Sequence, residues 1–438
     1  MNLIFGIKDK PKFGQIILFA IQQLLAIMAA TIAVPAIIGN GMSQTAALFG
    51  AGIGTLVYLL FTKFRSPVFL GSSFAFLGSM ATAFAGAVSM EAGYAGLIIG
   101  ALFAGLVYVI ISIVVKCCGV KWIDVIMPPV VIGPTVAIIG LSLAGNAVGD
   151  LSGAAVTASN YVCIICGLVT LGVTMVCSVF GKKMVKMIPF ILGIVAGYIV
   201  ATIFTLIGNA TDNEALIVVN FSLFQSIQWV PDFTFITAAK GISQLDGAYI
   251  ATIAVAYVPV AFVVFAEHIA DHKNLSSIIG TDLLKEPGLH RTLLGDGIGS
   301  FAGAIFGGCP NTTYGESIGC VAISGNASVV TILATAILAI IISFFGPFAT
   351  FLATIPSCVM GGVCIALYGF IAVSGLKMIQ DVDLNNNRNL FVVSVILIAG
   401  VGGLAVSFGK VTITEVACAL ILGILTNVLL GDKKKKTE

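Results

Sequence analysis

From Gln15 to Ile38 the chain passes through 24 residues without one Asp, Glu, Lys or Arg, and runs of this kind return along its whole length. A bilayer core asks for about 20 apolar residues per spanning helix, so each such run is long enough to cross. A soluble fold has no place for so many, because single hydrophobic cores stop growing at roughly 250 to 300 residues. The chain is 59% hydrophobic and only 9% charged, where soluble domains carry about 25% charged residues. It therefore reads as an all-α polytopic membrane protein, and its first run is too long for the apolar region of a cleaved signal peptide.

Polar breaks divide the chain into fourteen candidate spans: 15–38, 44–62, 67–88, 93–115, 123–145, 160–180, 187–208, 246–270, 292–307, 310–324, 327–346, 348–373, 389–408 and 412–431. With both termini on the cytoplasmic side, 19 of the 21 Lys and Arg residues fall inside and only Lys240 and Lys410 outside, as the positive-inside rule requires. The terminal Lys433 to Lys436 run reads as an anchor beside anionic lipid. The basic residues punctuate apolar runs and form no stripe, so the net charge of +2 does not point to nucleic acid. The ten cysteines sit mostly within apolar runs. The pair Cys163 and Cys166 has no His or charged neighbour and reads as packing residues, with no metal site.

Fourteen spans divide into two sevens, and an odd-numbered half must insert upside down relative to its twin. Pro128-Pro129-Val130-Val131-Ile132-Gly133 in span 5 and Pro356-Ser357-Cys358-Val359-Met360-Gly361 in span 12 share P-x-x-V-x-G at equivalent places. Inverted repeats with the substrate at their interface are a recurrent transporter plan, and their sites are built from discontinuous spans. The two spans least suited to continuous helix are the equivalents 3 and 10. One begins Pro67-Val68-Phe69-Leu70-Gly71-Ser72-Ser73 and the other Cys309-Pro310-Asn311-Thr312-Thr313-Tyr314-Gly315-Glu316. Proline removes a backbone donor, and Val, Phe, Thr and Tyr favour extended chain. Each reads as a short strand leading into a half-helix, the two pairing antiparallel; a pair of kinked helices is the plainer alternative.

Most of the 19 acidic residues lie in loops or at span ends, but Glu267 and Glu316 do not. Asp271 follows Glu267 by one helical turn on the same face. An ionisable group inside a span costs at least ~2.5 kcal/mol on the insertion scale and marks a functional site by default. No Lys or Arg lies within a span to neutralise either glutamate, which leaves protonation or the donors of a ligand. His268 and His272 flank these acids on a segment read as leaving the membrane. Their order is not H-E-x-x-H, no third ligand is evident, and no metal is expected. The absence of a GxxxxGK[ST] motif argues against ATP-driven pumping, and no nucleophile and base pair suggests an enzyme.

The stretches Gly71 to Phe76, Trp122 to Pro129, Ala266 to His272, Glu286 to Arg291 and Cys309 to Gly325 together make the chain resemble the nucleobase-ascorbate transporter family over essentially its whole length, nearest its bacterial uracil permeases. The resemblance implies a bacterial-type plasma membrane carrier that imports uracil with protons by alternating access, without a cofactor. It implies a core of spans 1 to 4 and 8 to 11 (residues 1–115 and 246–346) and a gate of spans 5 to 7 and 12 to 14 (116–210 and 347–431). An outer loop, 211–245, and a basic tail, 432–438, complete the chain, and a homodimer is implied as a partner state. Residue by residue, Glu267 and Glu316 accept from the pyrimidine N–H groups, the backbone N–H groups of Phe74 and Gly315 meet its carbonyls, and Tyr314 lines the pocket. Glu267, Asp271 and Glu316 are the implied proton-coupling groups.

Departures from the family pattern are Ser317 for Asn and Ser324 for Thr in the signature that begins at Glu316, Gln23 where a His is usual, and Asp271 where some uracil permeases carry His. Xanthine or another purine is the alternative substrate within the family, and an anion exchanger the alternative within the fold. A continuous polar pore, which a passive channel needs, is not seen.

Overall fold

The computed structural model describes residues 3–152, 158–182, 184–408 and 411–431. Lys183, Lys410 and the basic tail 432–438 lie outside the described residues. Helices dominate, and the apolar runs account for them. Phe13–Ile38, Gln44–Phe61, Met90–Cys118, Asn160–Phe180, Pro189–Thr211, Gly247–Ile279 and Ser357–Met378 are single helices, and Pro129–Ser142 continues into Ala144–Ser152. Among the described residues these make eight helical stretches long and apolar enough to cross a membrane, or nine when the bent pair Val329–Ser343 and Gly346–Ala353 counts as one. The protein is a multi-pass membrane protein. Leu168, Met175, Val176 and Val179 of helix Asn160–Phe180 stay exposed, as do Ile199, Ile203 and Leu206 of helix Pro189–Thr211. Spacings of three, four and seven residues put such side chains on one face of each helix, the face a lipid tail would cover.

Several boundaries differ from the sequence reading. The helix that carries Glu267 runs on to Ile279, so His268 and His272 stay inside the fold. Span 12, read from residue 348, starts at Ser357: Gly346–Ala353 is a separate short helix bent 81° from Val329–Ser343, and Pro356 caps the helix that follows. Span 13 ends as helix at Val401, where Gly402 and Gly403 break it, and Val406–Phe408 pairs antiparallel with Val411–Ile413 before helix Glu415–Leu429. The loop 211–245 contains helix Thr234–Gly241.

Two three-residue strands lie deep in the protein. Leu70–Ser72 pairs antiparallel with Asn311–Thr313, Leu70 opposite Thr313 and Ser72 opposite Asn311, and all six residues are buried. The pair satisfies peptide groups that water and lipid cannot reach. Contacts with helix Gln44–Phe61 hold it in place: Thr55 Oγ1 accepts from Leu70 N at 2.9 Å, and Asn311 Nδ2 of the second strand donates to Gly50 O at 3.2 Å. Gly308, at φ +73°, ends helix Leu289–Gly307 in the left-handed turn that sends the chain into the second strand.

Small residues bring the helices around the strands together. Helices Gln44–Phe61 and Leu289–Gly307 cross antiparallel with Gly50 against Gly303 and Gly54 against Gly299. Helices Pro129–Ser142 and Ser357–Met378 do the same through Gly133 against Gly375 and Gly140 against Tyr368 and Ala372. In lipid, where apolar surface gains nothing by leaving its surroundings, such close backbone approach is what holds helices together. A Cβ on Gly50 would lie 2.4 Å from the carbonyl oxygen of Gly303, which cannot move without its helix. Gly50→Ala is expected to destabilise the protein by about 1–3 kcal/mol, the usual cost of overpacking, read as a lower unfolding midpoint in detergent; an unchanged midpoint would show that the crossing is looser than described.

Candidate functional site

After Ser72 the chain makes a 3₁₀ turn over Phe74–Phe76 and enters helix Leu77–Ala85; after Thr313 it passes Tyr314 and enters helix Gly315–Ser324. Two half-helices thus begin at the strand pair, and their first amide groups lack intrahelical acceptors. These amides and their dipoles favour electron-rich groups at that point.

A small cavity of about 40 Å³ lies there, bounded by Phe74, Ala75, Glu267, Thr312, Thr313, Tyr314, Gly315 and Glu316, with Ile139 and Ile371 on the far wall. It brings together five of the six residues singled out from the sequence: Phe74, Glu267, Tyr314, Gly315 and Glu316. Asp271, one turn along from Glu267, stands behind the strand and accepts from Thr313 Oγ1 at 2.8 Å. Glu267 makes no hydrogen bond among the described residues. No Lys or Arg borders the cavity. Tyr314 lines it with its ring but not with its hydroxyl, which donates to Ser72 O at 2.7 Å. That reach is possible because residue 71 is glycine: a Cβ there would lie 2.3 Å from the Tyr314 ring.

Two departures from the family pattern prove to be partners. The amide of Gln23, from the first helix, donates to the hydroxyl of Ser317, which also accepts from Phe69 N at 3.2 Å. A shorter Ser side chain meets a Gln in place of His, and together they tie the first helix, the approach to strand Leu70–Ser72 and half-helix Gly315–Ser324. Sequence reasoning missed the opposite wall. Ile139 and Ile371 are ordinary apolar residues in apolar runs, and Tyr368, whose ring meets Phe74 edge-on at 5.7 Å, carries no sequence signal. It also missed the buried contact between His268 and Asp296; an acid inside the glycine-rich stretch Gly295-Asp296-Gly297 was the available signal.

A cavity at the meeting of broken helices inside a multi-pass membrane protein, bordered by carboxylates and the starts of two half-helices, has the form of a membrane transporter's site. Residues 14–408 match the model of the Permease family that covers the xanthine and uracil permeases, and the chain belongs to that family, the nucleobase-ascorbate transporters. It is 38% identical to the uracil permease of Bacillus caldolyticus over 440 residues, 99% of this chain and 96% of the relative. It is 38% identical to that of Bacillus subtilis (strain 168) over 439 residues, 98% and 96%, and 35% identical to that of Escherichia coli (strain K12) over 423 residues, 96% and 92%. In fold it is similar to the transmembrane domain of the cyanobacterial bicarbonate transporter BicA (TM-score 0.63, 18% identity, 97% of this chain and 100% of that one). It is also similar to the murine anion transporter Slc26a9 in its inward-facing state (0.66, 12%, 96% and 69%).

Ser317→Ala leaves the buried Phe69 N–H and Gln23 amide without their shared acceptor, which costs about 1–3 kcal/mol. It should lower the unfolding midpoint clearly, whereas Ser317→Thr, which keeps the hydroxyl, should stay near wild type. Equal effects of the two changes would separate the hydroxyl from the stability of the site.

Proposed function

We propose that this protein imports uracil together with protons, by alternating access of a core against a gate. The observation that carries the reading is the cavity itself. Uracil is a flat neutral molecule with two N–H donors and two carbonyl acceptors, and Glu267 and Glu316 offer lone pairs on one side while the Phe74 and Gly315 amides offer donors on the other. The relatives named as uracil permeases, matched nearly end to end, favour the same substrate. An anion carrier, the kind of protein the fold neighbours are named as, would here place two carboxylates and no cation against its substrate. A purine such as xanthine is the second reading, and the acid at Glu316, where purine-selective relatives tend to carry Gln, weighs against it.

The fourteen-span inverted repeat is supported by how the helices pair. Equivalent spans 2 and 9 cross at glycines, equivalent spans 3 and 10 pair as strands, and equivalent spans 5 and 12 cross at glycines, each pair antiparallel. Counting fourteen includes helices too short to cross alone, such as Gly315–Ser324 and Glu415–Leu429. The division into core and gate is supported by neighbours: Gln44–Phe61 and Met90–Cys118 both pack on Leu289–Gly307, while Pro129–Ser142 and Asn160–Phe180 both pack on Ser357–Met378. The cavity lies between the two sets, with Glu267 and Glu316 on the core and Ile139 and Ile371 on the gate. It shares Phe74, Ala75 and Ile139 with a gap of about 10 Å³ beside Ser79, Thr414 and Val416, which in turn borders, through Ser142 and Leu143, a wider cleft of about 560 Å³ lined by Asn40, Asn146 and Glu415. Toward the other end Trp122 of the gate stacks on Phe265 of the core at 6.3 Å. With the termini cytoplasmic, the cleft is the outer one and the closed contact the inner one, a state ready to receive substrate from outside.

Two measurements test this reading. Glu316→Gln removes a charged acceptor and should weaken uracil binding to the purified protein by about one to two orders of magnitude; unchanged affinity would remove Glu316 from the site. Uracil uptake into proteoliposomes should rise under an inwardly directed proton gradient and collapse with a protonophore, and indifference to both would leave a carrier without proton coupling.

A further inference from the structure

We propose that the proton this carrier moves is held by the His268–Asp296 pair, behind the cavity, and not by the glutamates that meet the ligand. The proposal rests on the transport reading above and adds to it the place of the proton.

The pair is sealed within the protein, His268 at 0% and Asp296 at 1% exposure, with Nδ1 2.7 Å from Oδ2. The other face of the imidazole can serve either protonation state. Nε2 lies 3.0 Å from Thr292 Oγ1, whose hydroxyl also lies 3.0 Å from Leu289 O. Its single hydrogen can go to Leu289 O, leaving Nε2 to donate, or to Nε2 itself, and the two arrangements differ by one proton on the pair. A neutral imidazole protonated at Nε2 presents a lone pair at Nδ1, and a lone pair facing an ionised carboxylate at 2.7 Å repels it. One proton must lie on the Nδ1–Oδ2 line, whichever atom owns it. The second carboxylate oxygen, Oδ1, is buried without a partner, which is costly for a permanently ionised acid and far less so for a protonated one.

The surroundings supply no fixed cation to take that proton's place. Helix Met90–Cys118 contributes Tyr108, whose ring meets His268 edge-on at 6.3 Å and whose hydroxyl is buried and unpartnered. Helix Gln44–Phe61 contributes Tyr58, 2.7 Å from His272 Nε2. His272 stacks on His268 at 4.0 Å and donates from Nδ1 to His268 O at 2.8 Å. Two charged imidazoles in that contact would repel. The remaining ionisable groups facing the pair are the acids Glu267 and Asp271, on the same helix, and Glu316 beyond them. Three further acids make a lone deprotonated Asp296 less favourable still.

Geometry also separates the two loads. Successive helical residues point about 100° apart, so Glu267 faces the cavity while His268 faces helix Leu289–Gly307. A glutamate that accepts a ligand N–H with full strength must be ionised, and cannot store the proton at the same moment. The pair next to it can, and the rigid helix shared by Glu267 and His268 links the two occupancies.

The test uses the full-length protein in proteoliposomes with Asp296→Asn, whose amide can still meet Nδ1 but cannot exchange a proton. Uracil binding is expected to stay within about fivefold of wild type, the range left by one neutral hydrogen bond. Exchange of preloaded for external uracil should continue, while uphill accumulation under a proton gradient disappears. An Asp296→Asn protein that accumulates uracil as wild type does overturns the proposal. Absence of gradient-driven uptake in the wild type would instead overturn the transport reading. Should Asp296→Asn not fold, Thr292→Val decides in the same assay: it keeps the pair but removes the hydroxyl that meets Nε2 in either protonation state, so the pH midpoint of uptake should shift, and an unshifted midpoint sinks the proposal.

Discussion

Everything at the centre of this protein depends on six residues of backbone that are not helical. Inside a membrane protein each unpaired peptide group costs several kcal/mol, so a helix cannot simply stop halfway. Leu70–Ser72 and Asn311–Thr313 solve this by pairing with each other. Once paired, they bring the starts of two half-helices to one spot, beside the cavity that Glu267 and Glu316 border. Thr55, Asn311 and the Tyr314–Ser72 contact are the supports that let so short a pair hold its position.

A second constraint is the lack of positive charge. Glu267, Asp271, Asp296 and Glu316 share one region of the interior with no Lys or Arg bordering the cavity, and four uncompensated carboxylates could not stay buried there. The structure divides the problem. Asp271 takes a hydroxyl hydrogen from Thr313, Asp296 lies 2.7 Å from His268 Nδ1, and Glu267 and Glu316 are left facing the cavity. The proposed binding and proton chemistry both rest on that electrostatic deficit.

The glycine crossings serve a mechanical end. Gly50 with Gly303 and Gly133 with Gly375 let backbones touch, as a core and a gate proposed to move as units would require. Between the sets the contacts at the site are of another kind: side chains such as Ile139, Ile371 and Tyr368 resting against the half-helices. Contacts of that sort can be broken and remade at modest cost.

Much of this was legible in the residues. Membrane residence follows from runs too apolar and too long for anything else, the broken spans from Pro67, Pro310 and their extended-favouring successors, and the acids at the cavity from the expense of Glu267 and Glu316 in such surroundings. These are local properties, decided by what each short stretch can tolerate in lipid. What only the tertiary structure decided is pairing across distance. Gln23 meets Ser317, His268 meets Asp296, and Ile139 faces Phe74, because helices far apart in sequence are brought together by glycines whose partners no local pattern reveals. The same limit misplaced helix ends: the acid-bearing helix continues to Ile279 because neighbouring helices bury His268 and His272 and give them partners, which a reading of hydropathy alone cannot foresee.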